Sequence, residues 1–387
     1  MRIGIDVSRA NSEEKTGVER YAYSLIQSLK RLEKQDPRLK NLEFVLYTDK
    51  PLQGELAELP GNWTQKVLEW PPKRLWTQVR LSSEMLFHAP DILFVPAHVC
   101  PIIHPRKTVM TVHDVAALKF PQSYNRFERW YSVWSARTAL KKMWKVIVPS
   151  EFTKRELTSA FGPPSNSAGG QSSDKIQVVY HGYDEKYRKI DDEKNIEKIL
   201  NKYSIQKPFI LSVGRLEEKK NTVRIIKAFE RTKINLQSSI FSLQLVLVGK
   251  PGYGYEKVKQ QIDDSEFKND IITPGWVGEE DIPYLLNAAA VFVFPSLYEG
   301  FGLPVLEAMA CGTPVVMSKG LSLEEIGGEA GVYIDPLDVD DMAYRISQLI
   351  TGSEQRTSYV ERGLLRVKDF SWEKCAKETL DILLSEV

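Results

Sequence analysis

The chain has 387 residues, 42% of them hydrophobic, with 52 Lys and Arg against 51 Asp and Glu. That length suits two or three domains, and the apolar fraction excludes wholesale disorder. No run approaches the ~20 apolar residues of a membrane span; the longest, over 92–103, is broken by Pro96 and Pro101. Cys100, Cys311 and Cys375 have neither zinc-ligand spacing nor an even count, and the opening MRIGIDVSRA lacks the apolar core of a secretory signal. A reduced, cytoplasmic protein is the expectation.

Taken in chain order, short apolar runs predict strands over 2–7, 43–48, 92–95, 108–112, 145–149 and 176–180. A second series follows over 209–213, 243–248, 271–274, 291–295, 314–317 and 332–334. The runs are rich in Val, Ile, Leu and Phe with little alternation, as in parallel strands covered on both faces. Helical patterns lie between them, at 17–32, 222–232 and 305–309 among others. Strand–helix alternation repeated twice gives an α/β protein of two doubly wound, Rossmann-like domains. The boundaries read as 1–182 for the first domain, 183–207 for a linker region and 208–369 for the second, with a helix over 370–387 crossing back to the first. The low-complexity stretch 162–174 reads as a flexible loop. Charge divides with the halves: residues 1–180 carry 26 Lys and Arg against 18 Asp and Glu, leaving 26 against 33 for the remainder. A basic half suits phosphate or an anionic membrane.

The densest chemistry lies in FPSLYEGFGLPVLEAMACGTPVV, residues 294–316. A strand ends, a glycine-containing loop follows, and Pro304 suits the first turn of a helix. Amide groups around Gly302 and Leu303 would present a helix N-terminus to an anion. Glu299 and Glu307 flank this turn, and carboxylates accept hydrogen bonds from sugar hydroxyls. A plain Gly-Pro helix start with surface glutamates is the local alternative. Arg215 and Lys220, in SVGRLEEKKN, follow a strand end and offer two cations to an anionic group. At ~4 Å and an effective dielectric near 20, one such contact is worth roughly 4 kcal/mol before desolvation. An exposed basic turn is the competing reading, with Lys219 the more solvent-facing lysine. Gly17 opens the first long helix, and His113 and Asp114 end a strand of the first domain. Each has a purely structural alternative.

EGFGLPVLEAMACGTPVV resembles the E-x7-E signature of the retaining glycosyltransferases of family four, which have the GT-B architecture of two facing Rossmann-like domains. The resemblance runs along the chain through TGVERYAYSLIQSL, TVHD, VPSEFTKREL, VVYHGYD, SVGRLEEKKN, LVLVGK, GWVGEEDIPYLLNAA and FSWEK. It implies a hexosyltransferase with a nucleotide-diphosphate sugar as donor and a glycan or lipid-linked acceptor. Arg215 and Lys220 would hold the diphosphate, with Gly17 approaching it from the first domain. Glu299, Gly300, Phe301, Gly302, Leu303 and Glu307 would take sugar, phosphate and ribose. His113 and Asp114 would form the sugar and acceptor wall, and the loop of Trp276, Val277 and Gly278 would read the nucleobase through its backbone. Catalytic roles thus fall to Glu299, Arg215, Lys220 and His113. The family often has two glycines where this chain has Thr16-Gly17. LWTQVRLSSEML and TGVERY are similar to bacterial mannosyltransferases of surface-polysaccharide assembly, so GDP-mannose is the expected donor and a UDP-sugar the next.

No metal and no cofactor are expected. Asp338-Val339-Asp340 spells a D-x-D, but it precedes a helix and reads as a cap. Gly249, Gly252 and Gly254 do not form a dinucleotide loop, and Walker A and G-x-S-x-G patterns are absent. Nucleic acid is not an expected partner. Trp130, Tyr131, Trp134 and Trp144, read as one helix over 127–146 with Arg137, Lys141 and Lys145, suit an anionic membrane interface; Lys73, Arg74, Trp76 and Arg80 add to it. Peripheral attachment to the inner face of the cell membrane follows from that reading, and a buried aromatic helix is its alternative. A GT-B-type epimerase, a phosphorylase or a non-catalytic sugar-nucleotide-binding module are the other functions the sequence allows.

Overall fold

A computed structural model describes residues 1–12, 15–71, 75–163, 175–236 and 242–385. Most of the expected loop 162–174, together with Lys73 and Arg74, lies outside the described residues. The chain forms two compact units, Met1–Gly182 with Phe370–Val387, and Tyr183–Asp369.

The first unit runs β1 (Arg2–Asp6), α1 (Gly17–Leu32), β2 (Glu43–Thr48), β3 (Trp63–Val67), α2 (Ser82–His88), β4 (Ile92–Val95), β5 (Thr108–Thr111), α3 (Ala116–Lys119), α4 (Arg126–Lys142), β6 (Lys145–Val148), α5 (Glu151–Phe161) and β7 (Ile176–Val178). Its strands form one parallel sheet in the order β3-β2-β1-β4-β5-β6-β7. The second unit runs α6 (Glu193–Lys202), β8 (Phe209–Val213), α7 (Thr222–Leu236), β9 (Gln244–Val248), α8 (Tyr255–Asp263), β10 (Ile271–Gly275), α9 (Ile282–Ala288), β11 (Val291–Phe294), α10 (Leu303–Ala310), β12 (Val315–Ser318), α11 (Ser322–Gly327), β13 (Gly331–Ile334), α12 (Val339–Thr351) and α13 (Ser353–Arg366). Its sheet, also parallel, has the order β10-β9-β8-β11-β12-β13. Phe292, Val293 and Phe294 have essentially no solvent exposure, which is why the strand reads as an unbroken apolar run.

Both sheets reverse direction of growth once, at β1/β4 and at β8/β11. Loops leaving the carboxyl ends of such strand pairs diverge and leave a crevice, the usual ligand site of open α/β sheets.

α14 (Trp372–Leu384) returns to the first unit. It lies against α1 and sends Cys375, Ala376, Leu380 and Leu383 into the core that contains Ile3, Tyr21 and Leu25. Residues 183–207, expected as a linker, belong instead to the second unit. There α6 packs on α9, and Lys202 and Tyr203 both donate to Asp281, at 2.6 and 2.7 Å. The helix expected over 127–146 ends at Lys142, so Trp144 and Lys145 are not on it; Lys145 opens β6. β3 was not expected. It is an edge strand whose Thr64, Gln65 and Lys66 are exposed, so it carries no apolar run to read.

Leu380 is fully buried, and removing its side chain leaves a cavity between α14 and α1. Leu380→Ala should cost the first unit about 2–5 kcal/mol, measured by chemical denaturation; a loss below 1 kcal/mol would show that α14 is not part of its core.

Candidate active site

The loops after β8, β9 and β10 are laced together by their main chains. Gly214 donates to Val248 O and Gly249 to Gly275 O, each at 2.9 Å, and Leu216 donates to Lys250 O at 3.0 Å. Gly249 has φ +150°, and a Cβ there would lie 1.8 Å from Gly214 O. The close approach of these strand ends therefore requires glycine.

On this base sit the two expected cations. Arg215 is exposed; its Nη2 lies 3.4 Å from Pro251 O and its Nε 3.9 Å from the carboxylate of the largely buried Glu217. Lys220 lays its alkyl stem over Gly214, holds its ammonium 4.8 Å above the Phe294 ring, and donates to Glu299 Oε1. Lys219, expected to face solvent, is instead only 19% exposed and stands 4.0 Å from Glu217. Asn221, which ends this turn, is in the left-handed conformation at φ +62°. The Asn221 side chain donates to Pro295 O at 3.1 Å and Pro336 O at 2.6 Å, tying the β8 turn to the ends of β11 and β13. Leu297 donates to Lys219 O at 2.8 Å and closes the same seam.

Glu299, Gly300, Phe301 and Gly302 leave β11 and enter α10 through Leu303. Gly302 has φ +111°, a backbone conformation that residues with side chains rarely adopt, so the tight turn into the helix favours glycine. Pro304 occupies the first turn and no side chain caps it, which leaves its amide donors to backbone or ligand. The Ser322 hydroxyl, fully buried, reaches Glu299 O at 2.9 Å and Phe301 O at 3.0 Å and pins the loop from below. Glu307 is only 4% exposed, whereas Glu299 faces Lys220 at a partly exposed position. Their surroundings also raise the Cys311 thiol pKa, through burial first and the nearby Glu307 second. Val277 is buried, and the adjacent exposed Trp276 carries the Lys250 ammonium 5.0 Å from its ring centre.

The structure thus joins Lys220 directly to Glu299, places Arg215, Gly300, Phe301 and Gly302 on the loops after β8 and β11, the strands that flank the switch point, and Leu303 and Glu307 on α10. Val277 follows β10 on the same sheet. Ser322 and Asn221 were not singled out by sequence reasoning, and Gly249 was weighed only as part of a dinucleotide loop. An Asn before a helical run is a capping signal that could have found Asn221; nothing local marks Ser322, which lies 23 residues beyond the carbonyl it holds. Asp338 accepts from the amides of Asp340 and Asp341 at 3.0 and 2.9 Å, so it caps α12. Among the described residues, no three His, Cys, Asp or Glu side chains converge as metal ligands.

In the first unit, Gly17 is exposed with no neighbour within 4 Å of a Cβ position, and the Thr16 hydroxyl bonds the Glu19 carboxylate rather than a helix amide. His113 is buried: Nε2 lies 3.1 Å from Pro96 O and the ring meets Tyr21 edge-on at 4.8 Å. That carbonyl contact places the proton on Nε2. Burial drops the His113 pKa to about 4, and burial likewise lowers His98 and His181. Asp114 Oδ1 accepts from Ala116 N at 2.8 Å and shapes the turn into α3.

Residues 15–187 match the model of Glycosyltransferase Family 4, and residues 192–366 match that of Glycosyl transferases group 1. The chain belongs to these family-four glycosyltransferases. It is 29% identical over 311 residues to O-antigen chain mannosyltransferase B of Escherichia coli, covering 80% of this chain and 77% of that protein. The match to the serotype-specific mannosyltransferase WbdA of Escherichia coli, also 29% identical, covers 70% of this chain but 32% of WbdA. Among solved structures, Anabaena HepE in complex with UDP-glucose aligns with a TM-score of 0.73 at 19% identity over the full length of both chains. WaaG, a glycosyltransferase of lipopolysaccharide biosynthesis, aligns with a TM-score of 0.72 at 14% identity over 99% of this chain and 100% of its own. These two establish the fold, GT-B with two Rossmann-like domains, as expected from the sequence. The glycosyltransferase is therefore an enzyme of the class its motifs implied.

The buried His113 of this glycosyltransferase makes a pH prediction. With a folded pKa near 4 against 6.5 in the open chain, the unfolded state takes up a proton that the native state refuses. Stability falls as pH drops from 6.5 towards 4, by roughly 3 kcal/mol for this group. His113→Gln should remove about one proton from the uptake on unfolding at pH 5, read from the slope of unfolding free energy against pH. An unchanged slope would mean that His113 is accessible to protons in the folded enzyme.

Proposed function

We propose that the enzyme transfers a mannosyl group, with retention of anomeric configuration, from a nucleotide-diphosphate sugar to a hydroxyl of a glycan or lipid-linked acceptor, GDP-mannose being the favoured donor and a UDP-sugar the next. The observation that carries this reading is the Lys220–Glu299 pair at the ends of β8 and β11, with the exposed Arg215 beside it. Arg215 and Lys220 neutralise charge on the leaving diphosphate, and the uncapped amides at the start of α10 add to them. Glu299 accepts from the sugar hydroxyls and Glu307 from the ribose; Val277 borders the base. Gly17 is assigned to phosphate contact and His113 with Asp114 to the sugar and acceptor, roles that follow the family resemblance.

Side-chain cations do the work a divalent ion would do, so the reaction is metal-independent. No side chain is assigned as a covalent nucleophile. In front-face transfer the bond from the anomeric carbon to the phosphate oxygen breaks. The acceptor oxygen bonds to that carbon from the same face, and the departing phosphate oxygen takes the acceptor proton. The mannosyltransferase names of the relatives support the sugar, and UDP-glucose in HepE supports a nucleotide-sugar donor. An anionic membrane surface is the further partner consistent with a lipid-linked acceptor.

Arg215→Ala should lower turnover by about 10²–10³ with the fold intact by circular dichroism, and excess EDTA should leave wild-type turnover unchanged. Wild-type turnover in the variant, or dependence on added magnesium, would refute the assignment. Thermal-shift measurement with GDP, UDP and ADP should show stabilisation by GDP above the others; equal or greater stabilisation by UDP would remove GDP-mannose as the donor.

A further inference from the structure

We propose that the second unit carries a second ligand site, between α7, α8 and the start of α12, that takes a sugar phosphate. The site lies apart from Arg215, Lys220 and Glu299 and does not use the transferase reading.

Two adjoining cavities, of about 340 and 430 Å³, lie between these helices and share Lys227 and Val339 in their walls. Small-molecule sites begin at roughly 300 Å³, so the pair has room for a phosphate and a sugar-sized body. The smaller cavity is lined by three cations, Arg224 and Lys227 of α7 and Lys257 of α8, against one carboxylate, Glu218. They gather in the half of the chain where acidic residues outnumber basic ones, 33 to 26.

These cations lack counter-charges. Arg224 is half-buried, and its one side-chain partner among the described residues is neutral, the Asn221 Oδ1 that it meets at 2.9 Å. Lys227 and Lys257 make no ion pair among the described residues. The pattern is not general in this unit: Lys202, Lys207, Lys233, Arg345 and Arg366 each stand against a carboxylate. A guanidinium drawn out of water without an anion is costly, and a bound anion offsets that cost. Two long helices also begin on this wall, α7 at Thr222 and α8 after Gly254, and their positive ends act in the same sense.

The larger cavity has the opposite character. Arg231 is matched by Asp340 at 3.5 Å, and Gln261 Nε2 donates to Glu230 at 3.4 Å. What remains there are carboxylate and amide oxygens, which accept from hydroxyls. Val339 lies between the two cavities, and Val223 and Val258 add an apolar wall on the cation side. Cations at one end and acceptors at the other fit a phosphate monoester with a hydroxylated body. A nucleic acid or polyphosphate would set its further phosphates against Glu230 and Asp340, which opposes it.

The test is isothermal titration of the full chain, with GDP present in excess, using mannose 6-phosphate, inorganic phosphate and mannose. Mannose 6-phosphate should bind at one site, phosphate more weakly, and mannose not at all. Lys227→Ala combined with Lys257→Ala should weaken binding of the ester by about tenfold or more, while turnover and GDP affinity stay at wild-type values. Arg215→Ala combined with Lys220→Ala, titrated without GDP, should keep the ester site. The proposal is overturned if the ester does not bind, if it binds no tighter than phosphate, if the Lys227 and Lys257 variant binds it equally, or if the Arg215 and Lys220 variant loses it. Should the ester site behave as stated while GDP fails to bind the wild type, the second site stands and the nucleotide-sugar reading fails.

Discussion

The ion pair between Lys220 and Glu299 joins two loops that are far apart in sequence and adjacent only because β8 and β11 are neighbours across the switch point of the sheet. The lysine cannot roam: its stem lies on Gly214 and its ammonium over Phe294. A partly buried cation held this way keeps its position without a ligand, so less ordering is needed when an anion arrives. Glu299 offsets the cost of burying that charge while the site is open. Under the proposed function, a bound phosphate would give the cation a second acceptor and free the carboxylate to bond a sugar hydroxyl.

The loops that carry this pair are fixed by backbone geometry and by neutral side chains. Gly249 permits the β8 and β9 ends to touch, Gly302 permits the sharp entry into α10, and Asn221 and Ser322 fasten the two loops to main-chain carbonyls. The positioning of the charges thus depends largely on groups that carry no charge, while Arg215 stands exposed beside the pair. In the first unit the logic differs. His113 is kept neutral by burial, with its donor directed at Pro96 O, so it offers a polar ring rather than a charge.

Much of this was legible in the sequence because buried parallel strands are nearly unbroken apolar runs; β2, β4 and β8 coincide with their expected bounds. β3 escaped because an edge strand with Thr64, Gln65 and Lys66 outward has no such run. Of the candidate site, Arg215, Lys220, Glu299, Glu307 and the glycines were named from the family resemblance, and the structure places them after β8 and β11 with Lys220 against Glu299. The solvent-facing character expected of Lys219 was wrong because buried Glu217 holds it, a partner that pattern cannot rank. Ser322 was invisible because its contact is made across 23 residues by a backbone turn. The aromatic helix was overextended past Lys142, since Trp144 and Lys145 continue its basic, aromatic composition into β6.

The most direct measurement is a crystal structure with a nucleoside diphosphate bound in the absence of divalent metal. The account places its phosphates within about 3 Å of the Arg215 guanidinium, the Lys220 ammonium and the amides that follow Gly302. Phosphates bound elsewhere, or bound there only when magnesium is supplied, would contradict it.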